Sequence, residues 1–119
     1  MVKLLQWCTR VAGIFAPILG VLIGRVGYSW LPRTHTVLGI VVVVALFLIA
    51  IFGFFARLPP VLPIVGVFWA GATLYLGYAQ FHLMTGDAHW IIELAHALLG
   101  IGAIGLAEAI GARISRQRV

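Results

Sequence analysis

The sequence predicts an all-α integral membrane protein, an antiparallel up-down bundle of four transmembrane helices forming a single domain, residues 1–119. Three observations predict it. The chain is 63% hydrophobic and only 9% charged, where a soluble domain carries about a quarter charged residues. Its polar residues gather in short clusters between four apolar runs, each near the length of about 20 residues that a helix needs to cross a bilayer. The bases flank these runs instead of sharing one soluble face. The net charge of +5 therefore reads as membrane topology, and nucleic acid is excluded as a partner.

The first span is placed at about residues 11–30. Pro17 lies inside it, which a membrane helix tolerates when neighbours cover the freed carbonyl. Gly20 and Gly24 form a small-xxx-small pair suited to close helix packing. Lys3 and Arg10 before an apolar run resemble a signal peptide, but no small-residue cleavage site follows, so the helix is expected to be retained. Leu31-Pro32-Arg33-Thr34 is expected to connect to the second span, residues 35–56, whose Val41–Val44 run is too uniformly apolar for a barrel strand. Arg57, Pro59 and Pro60 mark the next turn. Pro63 suits the first position of a third span, residues 63–83. Met84-Thr85-Gly86-Asp87 is a polar loop, and the fourth span covers residues 88–112. Arg113, Arg116 and Arg118 form a basic tail. Cys8 is the single cysteine, so neither an intrachain disulfide nor a CxxC site exists.

Lys3, Arg10, Arg57, Arg113, Arg116 and Arg118 fall on one side, with Arg25, Arg33 and Asp87 towards the other. This split places both termini in the cytoplasm. Tyr28, Trp30 and Trp90 mark the outer rim and Trp7 the inner one. The expected setting is a multi-pass protein of a bacterial or archaeal plasma membrane. A weak internal repeat pairs His35-Thr36-Val37-Leu38-Gly39-Ile40 with His96-Ala97-Leu98-Leu99-Gly100-Ile101, and Val11–Phe15 with Ile64–Phe68. It implies two hairpins in parallel repeat, although apolar helices draw on few residue types and also match by coincidence.

Ionisable groups at membrane depth are costly and usually functional. The candidates are Arg25, His35, His82, His89, Glu93, His96 and Glu108. At 1.5 Å per residue, Arg25 lies about 22 Å above Arg10, His96 about 25 Å above Arg113, and His82 about 28 Å above Pro63. All four histidines fall in the outer half. Only Glu108 lies near the inner rim, where Arg113 or Arg57 is its expected partner. His89, Glu93 and His96 stand at i, i+4 and i+7 on one face of the fourth helix, which must look into the bundle or at partner protein.

Three chemistries fit. Two histidines at similar depth on facing helices hold a haem iron, as in b-type cytochromes. His82 matches His96 best in depth, and the repeat pairs His35 with His96. Arg25 or Arg33 then meets the propionates, and Gly77 and Gly100 leave room for the macrocycle. The second is a mononuclear metal site built on the Glu93-x-x-His96 pair with His82, His35 or His89. A di-iron centre lacks its further glutamates. The third is structural, with Glu93 pairing with Arg25 and His96 bonding a carbonyl or a neighbouring subunit.

The His-x-x-Leu-Gly helix openings at His35 and His96 resemble those of cytochrome b561-type membrane haem proteins. The resemblance covers the second and fourth helices. It implies one b haem near the outer face, exchanging electrons with a quinone or a partner protein. Two histidine pairs at two depths are not present, so a two-haem relay is not implied. Small multidrug transporters share only this chain's size, because the first helix lacks their membrane glutamate. The expected function is haem-b binding and electron transfer as a subunit among other transmembrane subunits in the lipid bilayer. The competing reading is a non-catalytic accessory subunit of a respiratory or photosynthetic complex. No catalytic constellation marks the chain as an enzyme on its own.

Overall fold

The computed structural model describes residues 1–117; Arg118 of the basic tail and the surroundings of Gly24 lie outside the described residues. Four helices follow one another: α1 (Val2–Val26), α2 (Trp30–Phe55), α3 (Val61–Ala79) and α4 (His89–Gln117). All four are long and apolar enough to cross a membrane, and the chain is a multi-pass membrane protein. The helices alternate in direction. Both termini and the α2–α3 turn therefore lie at one end, here the terminal end. The 27–29 and 80–88 connections lie at the other, here the far end.

Helix limits differ from those expected. α1 begins at Val2 instead of residue 11, because its polar first turns are not left in solution. Gln6 and Arg10 are held by α4, as described below. Gly27 ends α1 in the left-handed conformation at φ 61. The segment 31–34 is not a connection. It is the first turn of α2, where a proline replaces an N–H that has no intrahelical partner anyway, and Leu31 is 1% exposed. α3 likewise starts before Pro63, which is buried in its first turn. It stops at Ala79, short of Leu83, and α4 continues to Gln117.

The Cα envelope measures 49 × 24 × 15 Å. Its thin dimension arises because α2 and α4 meet across the bundle while α1 and α3 do not touch among the described residues. Small residues on α4 permit that approach. Ala103 and Ala107 are fully buried with Ile110, against Leu46, Ile49 and Ala50 of α2. Without a hydrophobic drive between helices in lipid, such close packing supplies much of the association energy. Phe68, Tyr75, Leu98 and Ile101 are among the large apolar and aromatic side chains that point outward, as lipid-facing residues must. Trp7 faces outward at the terminal end, and Tyr28, Trp30 and Trp90 at the far end.

α3 docks on α4 through Trp69, whose indole N–H donates to the Leu99 carbonyl at 2.8 Å. The ring lies where a side chain on Gly102 would stand. α1 docks on α4 at the terminal end. The Arg10 guanidinium donates twice to the Glu108 carboxylate, 2.8 Å for both contacts, and the Gln6 amide adds a bond of 3.1 Å. Glu108 therefore pairs with Arg10 and not with Arg113 or Arg57, because α1 rather than the α2–α3 turn lies beside it. Glu108→Gln is expected to lower the Tm of the purified protein by stranding Arg10 at this seam. Adding Arg10→Gln should restore part of the loss, a coupling readable in a double-mutant cycle.

Candidate functional site

The far end of the bundle gathers the one cluster of ring nitrogens that faces inward. His35 sits in the second turn of α2 and His96 in the second turn of α4. Their ring centroids are 6.1 Å apart with planes inclined at 66°. Each ring rests on a glycine of the preceding helix. A Cβ on Gly20 would stand 3.2 Å from His35 Cε1, and one on Gly77 would stand 3.1 Å from His96 Cε1. The two hairpins thus present a histidine in the same way, glycine behind and the other histidine in front. The correspondence does not extend lower down. Gly13 of α1 meets Ile104 of α4, and Gly66 of α3 meets Ala50 of α2 together with Ile110. The longer 80–88 connection absorbs the extra residues between Gly77 and His96, so the two rings reach the same level.

The rings differ in their hydrogen bonds. His35 Nδ1 lies 2.8 Å from the Ala16 carbonyl. A carbonyl only accepts, so Nδ1 carries the proton and donates. In the neutral ring that leaves the lone pair on Nε2, as where a backbone carbonyl orients a metal-binding imidazole through its other nitrogen. His96 Nδ1 is buried and has no hydrogen-bond partner. An orphaned buried polar atom costs about 1–3 kcal/mol, and such atoms in folded proteins call for a partner.

The remaining candidates are placed elsewhere. His82 lies beyond the end of α3 and is exposed. α3 ends at Ala79, so His82 is not presented from a helix face towards His96. Met84 and Gly86, at φ 45 and 106, then turn the chain towards α4. His89 opens α4, with Nδ1 3.3 Å from the Leu83 carbonyl and Nε2 3.9 Å from the Glu93 carboxylate. The Glu93 side chain is 66% exposed and makes no ion pair with Arg25 among the described residues. The polar stripe of α4 is therefore split. His96 turns inward, while Glu93 looks out of the bundle. Among the described residues no three histidine, cysteine, aspartate or glutamate side chains converge as a metal site. Glu93 and His96 with His82 or His89 are thus not assembled into a carboxylate–histidine centre. Arg25 is exposed in the last turn of α1.

Sequence reasoning did not find Ala16 as the carbonyl that holds His35, nor Gly20 as its backing. Both follow from the α1–α2 register; the Gly20/Gly24 small-xxx-small pair marked Gly20 as a packing position, and no signal marked Ala16. A groove of about 360 Å³ between α1 and α2, lined by Trp7, Cys8, Val11, Ala12, Leu38 and Val41, contains no histidine. No protein-family model, no curated protein and no solved structure matches the chain.

Proposed function

We propose that this protein is a small membrane haem protein in which His35 and His96 are the two axial ligands of one b-type haem at the far end of the bundle. The observation that carries the reading is the close edge-on pair of imidazoles of His35 and His96. Their 6.1 Å centroid separation is close to that of two imidazoles sharing one metal, given metal–nitrogen bonds of about 2 Å and the width of the rings. The bond from His35 to the Ala16 carbonyl and the unpartnered Nδ1 of His96 support it. A bound haem supplies one-electron chemistry. The chain's own contribution is to orient His35 through Ala16, to back both rings with Gly20 and Gly77, and to offer Arg25 and Arg33 as exposed cations at that end for the propionates.

The basic residues at the terminal end support placing both termini in the cytoplasm of a bacterial or archaeal cell. The haem then lies towards the outer leaflet, where a membrane quinone or a partner protein exchanges electrons with it. The test is haem content after expression with haem supplied. The reading expects one haem per chain and a b-type α band in the reduced-minus-oxidised spectrum. A colourless, folded protein overturns it.

A second reading, an accessory transmembrane subunit of a larger respiratory or photosynthetic complex, is favoured by Glu93. Its carboxylate looks outward near the start of α4, where a cationic group on a neighbouring subunit would satisfy it. This reading predicts a colourless protein that co-purifies with larger membrane assemblies.

A further inference from the structure

The terminal end carries a feature that the haem reading does not use. α2 closes in a Schellman turn. Leu58 N–H donates to the Gly53 carbonyl and Arg57 N–H to the Phe54 carbonyl, both at 3.0 Å. The turn requires a left-handed residue, and Arg57 occupies it at φ 56. Glycine fits that position without strain and usually holds it. Arginine in that position carries backbone strain that glycine would not. Immediately beyond it, Leu58 and Pro59 combine with Arg113, Arg116 and Gln117 of α4 to line an open groove of about 260 Å³.

The charges around this groove are unbalanced. The chain has three acids. Glu108 is engaged by Arg10, and Asp87 and Glu93 lie at the far end. Neither Arg57, Arg113 nor Arg116 is in an ion pair among the described residues. The groove thus offers concentrated positive charge at the level where the bundle leaves the membrane. Its residues Leu58 and Pro59 lead directly into α3, whose first residue, Val61, is exposed.

We propose that Arg113 and Arg116, which line the groove, together with Arg57, the chain neighbour of its lining residue Leu58, form a binding site for the headgroup phosphate of an anionic phospholipid in the leaflet at the terminal end. Guanidinium groups suit phosphate oxygens through paired N–H donors, and juxtamembrane bases attract anionic lipid. Leu58 and Pro59 supply the apolar floor, and the acyl chains follow the α3 surface. Free inorganic phosphate shares the headgroup chemistry but has no use for that surface. The proposal is independent of the haem.

The test uses the full chain in detergent, titrated with phosphatidylglycerol or phosphatidylcholine, with bound lipid counted by native mass spectrometry. Phosphatidylglycerol is expected to bind preferentially. The Arg113→Gln/Arg116→Gln variant should weaken it by about fivefold for each charge removed. Lys3→Gln, at the same end but outside the groove, should leave it unchanged. Arg57→Gly should lose lipid severalfold while keeping or raising the Tm, because glycine relieves the left-handed turn. That opposite movement separates a binding role from a folding defect. No preference for phosphatidylglycerol, equal weakening by Lys3→Gln, unchanged binding by Arg57→Gly, or displacement of the lipid by millimolar inorganic phosphate would each overturn the proposal.

Discussion

His96→Ala and His35→Ala are each expected to reduce haem retained per chain by at least about tenfold, while His82→Ala and His89→Ala retain it. The contrast follows from position. His35 and His96 are the two rings that meet inside the bundle. His82 is exposed beyond α3, and His89 is tied to the Leu83 carbonyl at the mouth of α4. If the two imidazoles hold the iron as proposed, losing one would exchange a metal–nitrogen bond for open coordination, and affinity would fall by more than any outer contact contributes. Haem per chain, measured by absorbance against protein mass on the purified variants, checks this. A pair that served only to fix helix register would behave differently. Its alanine variants would lower Tm with no change in colour.

Gly102→Val is expected to be the most damaging single substitution in the hydrophobic packing. A Cβ at Gly102 would stand within 2.7 Å of Trp69 Cε2 and 2.8 Å of its Nε1, well inside van der Waals contact. The indole cannot simply swing away, because its N–H is bound to the Leu99 carbonyl at 2.8 Å. Overpacking of this kind costs about 1–3 kcal/mol. Losing the indole bond adds about 1 kcal/mol, so α3 should separate from α4 at a markedly lower temperature. Pairing the change with Trp69→Leu should recover part of the Tm, since the leucine vacates the space. Gly105→Val, at a position where a Cβ meets nothing within 4 Å, is the control and should leave Tm close to wild type.

The number and type of the helices were legible because apolar runs near bilayer length leave little alternative. Their limits were less so. Pro32 reads equally as a connection or as a helix's first turn. The polar residues before Val11 belong to a helix only because Gln6 and Arg10 find Glu108 across the bundle. That contact joins residues 98 positions apart in the case of Arg10, and no local pattern announces it. The histidine pair was legible in part. The shared His-x-x-Leu-Gly openings point to His35 and His96, whereas linear depth counting also favoured His82, which lies exposed beyond the end of α3. The stripe of His89, Glu93 and His96 shares a helix face, but a face some tens of degrees wide lets its middle member look out while its last looks in.

The central claim is that one iron is held by two imidazoles, those of His35 and His96. The ferric protein, purified after expression with haem supplied, tests it most directly by low-temperature electron paramagnetic resonance. A low-spin, six-coordinate signal that disappears in both His35→Ala and His96→Ala is the predicted result. A high-spin signal in the unmodified protein, or a low-spin signal that survives either substitution, would contradict it.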